Sequence, residues 1–175
     1  EELLAMPQTE FTAFQNCATN GEGGALMENI PMKGVPLSYL VEQCGGLVEG
    51  TNAMNAAGND GWQAFPPMDM ALDLMYEDCY VVTQYYGQNL TVDQGAPLVL
   101  VPCGMPGAQW VKHLGTIDFK VAEQFMDGPT YAAATAPSPK INVNGMWFQN
   151  NGLAAKVGER VNLTGACTSW SKIVG

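Results

Sequence analysis

Leu98–Val101, four consecutive apolar residues with Pro97 before them and Pro102 after, constrains the fold more than any other stretch of the chain. Proline has no backbone N–H and clashes with a helical predecessor, so a run bracketed in this way cannot grow into a helix. It reads as a short strand buried on both faces. The same punctuation recurs along the chain. Twenty glycines and 11 prolines in 175 residues keep every element short and predict a loop-rich fold.

Two helix patterns stand among the strand-like runs. In residues 34–46, Pro36 suits the first helical position, and Leu37, Leu40, Val41 and Cys44 follow at i, i+3, i+4 and i+7. Gly45 and Gly46 supply the stop. This spacing places Cys44 in the core. Residues 66–75 repeat the logic, with Pro67 at the start and Ala71, Leu72 and Met75 on one face. A short helix at the N-terminus is stopped by Pro7. Residues 11–16 read as a strand leading into Cys17, 18–30 and 51–61 as loops, 80–92 as strand, tight turn and short strand, and 116–121 as a half-buried strand. Near Gly128 the composition shifts. The stretch 132–140 is rich in alanine and proline, as linkers are, and short strand-like runs follow it. The division expected is 1–128 and 129–175, the second part being the beginning of a β-sandwich that the chain does not complete.

The charge balance excludes several functions. Seven Lys plus Arg stand against 17 Asp plus Glu, for a net charge of −10. Nucleic acid and anionic membrane surfaces need cations, so neither is an expected partner. No apolar run reaches the ~18 residues that span a bilayer. One histidine leaves little room for His-based metal sites or Ser-His pairs. Five cysteines form no CxxC pair, which argues against a zinc ribbon or a thioredoxin-like site. The scarcity of Lys and Arg beside abundant Asn, Gln, Gly and Thr points to an exported protein; Asn89 and Asn162 each begin a glycosylation triplet.

Two places suit chemistry. Cys17 ends a strand and opens a Gly-rich loop, so a fixed thiol faces open space; the competing reading is a small buried hydrophobe. Residues 103–115 follow the buried strand with glycines that leave backbone N–H groups accessible to an anionic ligand, and they carry Lys112. Taken alone they also read as an ordinary connection between strands. The P-loop spacing is absent, and His113 reads as structural.

Four ordered segments resemble the molybdopterin-binding domain of the sulfite oxidase family, which includes the catalytic subunits of methionine sulfoxide reductases. They are residues 1–20 (EELLAMPQTEFTAFQNCATN, where the family has C-x-G-N-R), 33–46 (the family's G-V-P-L and Leu-rich helix), 58–73, and 85–119 (APLVLVPCG and GAQWVKHLGTI, similar to G-x-P-L-R-L-V-V-P-G and G-x-x-x-V-K-W-L-x-x-I). The resemblance implies a mixed α+β fold of the sulfite oxidase type, followed by the start of an immunoglobulin-like β domain. It implies a molybdenum–molybdopterin cofactor with Cys17 as the metal ligand, Asn20 shaping the turn after it, and Gly104, Gly107, Gln109 and Lys112 cradling the pterin. It also implies an electron-transfer partner and dimerisation through the second domain. Trp62 stands at or near the place of the sulfite oxidases' active-site tyrosine and would wall the substrate pocket as a catalytic residue.

The departures are all in one direction. Gly21 stands where C-x-G-N-R has its arginine, Val99 where P-L-R-L has another, and Gln109 where a basic residue is usual. An anion such as sulfite needs a cation cluster, which this chain lacks. The expected substrate is therefore small and neutral, such as a sulfoxide, reached by oxo transfer. The alternative is a non-catalytic exported binding or scaffolding module that keeps the fold without the cofactor. An unrelated all-β surface domain would require both helices, near Pro36 and near Pro67, to be absent.

Overall fold

A computed structural model describes residues 2–17, 19–20, 24–62, 70–72, 76, 78–123, 144–147, 154–162 and 164–168. The bracketed run is a strand, displaced by one residue from the sequence reading. Strand β7 (Val99–Pro102) is buried along its whole length. It pairs with β5 (Cys79–Tyr85), which is also paired by β2 (Met27–Pro36) and by the short β6 (Gln88–Asn89); β1 (Thr9–Asn16) extends the sheet beyond β2. All these pairings are antiparallel. A second sheet holds β3 (Ala53–Gly58) between β4 (Met70–Ala71) and β8 (Leu114–Lys120). Helices are few and short: α1 (Glu2–Ala5) and α2 (Leu37–Gln43). The architecture is strand-rich with few helices, in keeping with the expected mixed class.

Where β5 and β7 pair, both faces of the larger sheet are covered. One face packs Val81, Leu100 and Cys79 against Leu37 and Val41 of α2 and against Met54 and Ala56 of β3. The other gathers Ala13, Ile30, Val82, Val99, Val101 and Trp110. Full burial of each such aliphatic side chain is worth about 1.5–3 kcal/mol, so β7, apolar on both faces, ties the two cores together.

The structure departs from the sequence reading at several places. Residues 53–58, read as loop for their Asn, Ala and Gly, form β3, with Ala53 and Met54 fully buried. Pairing with β8 outweighs weak intrinsic strand preference there. Strand β2 begins at Met27, inside a segment also read as loop. Pro36 caps α2 instead of opening it, and the helix stops after seven residues. Cys44 therefore falls outside the second turn and is exposed, not in the core as its spacing predicts. In the second helix pattern Met70 and Ala71 pair as a strand, and the Tyr76 N–H donates to the Leu72 carbonyl at 2.9 Å. Pro67 and Met75 lie outside the described residues. Strands β9 (Asn144–Trp147) and β10 (Gly165–Thr168) pair antiparallel in a separate two-stranded sheet. The linker expected at 132–140 lies outside the described residues.

Candidate active site

Strand alternation builds the first wall of the site. Gln15 of β1 stands opposite Glu28 of β2, and the Cys17 N–H donates to the Leu26 carbonyl at 2.9 Å, one step past the end of the strand. With a period of two, Ala13, Gln15 and Cys17 share a face with Leu26, Glu28 and Ile30. Ala13 and Ile30 are core. The next residues on that face run out of the core and line a cleft.

The cleft has two hollows. One, of about 490 Å³, lies at Cys17 and is lined also by Ala25, Leu26, Met27 and Ala108. The other, of about 440 Å³, lies at Lys112 and is lined also by Asp60, Tyr86, Asp93 and Trp110. Gln15, Glu28, Trp62 and Gly107 line both. Gly107 belongs to a 3-10 turn (Gly107–Gln109) in the loop after β7, and that loop is anchored by the Trp110 indole N–H on the Met105 carbonyl at 3.2 Å.

The Cys17 thiol is exposed and sits in a turn. Its Sγ lies 3.1 Å from the Thr19 hydroxyl, and the Asn20 N–H donates to the Cys17 carbonyl at 2.9 Å. Hydrogen bonds from the Thr19 hydroxyl and then the Thr19 backbone hold the thiol below its ordinary pKa against a smaller opposing effect of burial, and the Asn20 backbone adds the least. Donors aimed at sulfur favour the thiolate, the form that binds metal.

Trp62 is placed by a tight turn at the end of β3. The Gly58 N–H donates to the Trp62 carbonyl at 2.7 Å, and the Trp62 N–H donates to Asp60 Oδ1 at 3.0 Å. The Asn59 N–H donates to the His113 carbonyl at 2.8 Å, which ties this turn to the one bearing Lys112. A Cβ on Gly58 would stand 2.5 Å from the Lys112 carbonyl oxygen, so only glycine permits the two turns to touch. Lys112 Nζ donates to the Asp93 carbonyl. His113, with φ of 51°, braces the turn through Nδ1 and the Ala96 carbonyl at 2.8 Å.

The charges are unevenly shared. Among the described residues, Lys112 is the only cation lining either hollow, beside the carboxylates of Glu28, Asp60 and Asp93. Among the described residues, Glu28 is the only charged one lining the Cys17 hollow. Its Oε1 accepts a hydrogen bond from the Tyr86 hydroxyl, and this bond raises the Tyr86 pKa. Tyr86 takes up a left-handed conformation, φ 53°, in the two-residue turn between β5 and β6. That conformation costs roughly 1–2 kcal/mol in a residue with a Cβ, and it delivers the ring to Glu28.

The structure thus gathers Cys17, Trp62, Gly107 and Lys112 along one cleft. Asn20 stands behind the wall, its Nδ2 donating to Asn16 Oδ1 at 2.8 Å and its Oδ1 accepting the Leu26 N–H at 3.0 Å. Gly104, with φ of 82°, makes a turn outside the lining. Gln109 is 2% exposed and turned into the interior. The sequence reading does not reach Gln15 or Glu28. The signal that would find Glu28 is the period-two continuation through 26, 28 and 30, hidden in a segment that its glycines and asparagine mark as loop.

Among the described residues, no group of three or more His, Cys, Asp or Glu side chains gathers to hold a metal, and no helix is long and apolar enough to cross a membrane. None of the curated proteins matches the chain. Among solved structures it is similar to the sulfane dehydrogenase SoxCD of Paracoccus pantotrophus, at 24% identity and a TM-score of 0.60, over 69% of this chain and 34% of that one. The chain therefore spans about a third of that protein's chain. The sequence pattern of the family described as "Oxidoreductase molybdopterin binding domain" matches residues 1–126, more than half of the chain, and the chain belongs to that family.

Proposed function

We propose that this domain binds a molybdenum–molybdopterin cofactor and carries out oxo transfer on a small substrate with a neutral reacting group, such as a sulfoxide, within an exported protein. The observation that carries this reading is the exposed Cys17 thiol, biased toward thiolate, in a cleft that continues to Lys112. The donor set fits the group. Molybdenum held by the sulfurs of a pterin needs one soft protein ligand, not a cluster, and one thiolate is what the cleft offers. Lys112 at the far hollow would offer an ammonium to a phosphate, and Gly107 lines both hollows without a side chain.

When bound, the cofactor supplies the two-electron oxygen-atom chemistry. Cys17 would hold the metal, and Asn20 and Thr19 would fix the turn that presents its sulfur. Lys112, Gly107 and the loop anchored by Trp110 would hold the organic part. Trp62 and Leu26 would exclude water from the reacting face. In the overall reaction the S–O bond breaks, sulfur gains two electrons from an external electron donor, and the oxygen leaves as water with two protons.

Metal analysis after expression in a host that makes the cofactor tests the reading. Stoichiometric molybdenum in the wild type, absent in Cys17→Ser, supports it. A folded wild-type protein without molybdenum supports the non-catalytic module instead, a reading favoured by Lys112 being the only cation among the described residues along the cleft.

A further inference from the structure

We propose that the Cys17 hollow selects substrates carrying a positively charged, alkylated group, such as a methylated ammonium, next to the reducible centre, with Glu28 and Trp62 as the specificity-determining residues. This rests on the oxo-transfer reading of the same cleft and goes beyond it in naming the substrate class.

Three features converge. The first is charge. Glu28 is the only charged side chain among the described residues that line the Cys17 hollow, so a ligand there meets its carboxylate. The second is position. Gln15 stands opposite Glu28 and Cys17 lies two residues further along the same face, which makes Cys17 and Glu28 diagonal neighbours, about 7–8 Å apart between backbones. A substrate reacting at Cys17 therefore has its flanking group beside Glu28. Tyr86 keeps the carboxylate at that place through the bond to Oε1. The third is the surface around it. Trp62 is 43% exposed and lines the same hollow as Ala25, Leu26 and Met27. An indole, a carboxylate and an apolar wall lining one hollow are the chemistry that recognises alkylated ammonium groups: the ring quadrupole attracts the cation, and the methyl groups bury apolar surface. An anion would meet repulsion from Glu28, and among the described residues no cation lines this hollow to offset it.

The test needs no molybdenum. The probe is tetramethylammonium chloride titrated into the cofactor-free full chain, with Trp62 emission taken as the difference between wild type and Trp62→Phe. Neutral tert-butanol and sodium acetate serve as comparison probes. The expected result is saturable quenching by tetramethylammonium alone, weakened about fivefold in Glu28→Gln and unchanged in Glu49→Gln, which removes the same charge elsewhere. Tyr86→Phe, which keeps the carboxylate but releases it, is expected to give an intermediate loss. Absence of saturable binding overturns the proposal, as does an equal loss in Glu28→Gln and Glu49→Gln, which would reduce the effect to net charge. Circular dichroism of each variant separates a lost site from a lost fold. Failure here leaves the molybdenum stoichiometry untouched, and failure of that stoichiometry leaves the measured binding untouched, so the two failures are distinguishable.

Discussion

Gly58→Ala attacks the joint between the two turns that shape the cleft. The new methyl would sit 2.5 Å from the Lys112 carbonyl oxygen and 2.5 Å from Asp60 Oδ1. Ordinary contact lies near 3.5 Å, so about 1 Å of separation must be found. Asp60 can rotate away at the cost of its bond to the Trp62 N–H, but the Lys112 carbonyl is backbone and can retreat only if its turn moves. Overpacking of this kind costs typically 1–3 kcal/mol. For a chain of this length each kcal/mol lowers Tm by about 2–4 °C, so a loss near 6 °C is expected in a thermal melt followed by circular dichroism. Trp62 emission should shift as well, because its turn is held through Gly58 N–H and Asp60. A variant that melts within about 1 °C of wild type, with unchanged emission, would refute the close approach of the two turns and with it the account of how Trp62 and Lys112 come to share a hollow.

Thr19→Val removes the hydroxyl that contributes most to lowering the Cys17 pKa. The pH midpoint for alkylation of Cys17 by iodoacetamide in the cofactor-free chain should lie below the ordinary thiol range in wild type and move upward in the variant; an unmoved midpoint refutes the role of Thr19. Cys79 is fully buried, and desolvation, helped by Cys103, raises its pKa well above the usual value. Its neutral form is favoured in the folded state, so that contribution is complete at neutral pH and is lost as pH rises past the unfolded thiol's pKa of about 8.5. Denaturant midpoints should therefore fall above that pH, and Cys79→Ala should show a shallower fall than wild type despite its lower starting stability.

Legibility in the sequence followed how local the determinants are. The strand at 99–102, the helix after Pro36 and the turn near Gly87 are declared by residues in contact along the chain: apolar run, proline, glycine. Strand β3 is not, because AMNAAG has little strand preference of its own and acquires its conformation from β8 across the sheet. Cys44 was misplaced for a related reason. Its i+7 spacing is sound for a helix that continues through it, but α2 ends at Gln43 and leaves Cys44 as the exposed cap. At the site, Cys17 was legible as a thiol at a strand's end and Lys112 as a rare cation in a glycine loop. Gln109 was not, because nothing local says that the 3-10 turn directs its side chain inward.

The residue order alone settled which groups this domain has to work with: a thiol opening a Gly-rich loop, scarce cations, and a β7 apolar enough to organise a core on either side. Those are properties of composition and of neighbours along the chain, where sterics and hydrophobicity act without long-range information. Only tertiary contact decided that Glu28 accompanies Cys17 on one face, that Tyr86 reaches across from another strand pair to hold it, and that Trp62 and Lys112 lean on each other through a bare glycine. Strand register and the close packing of two distant turns set those relations, and neither is written in any short window of the chain.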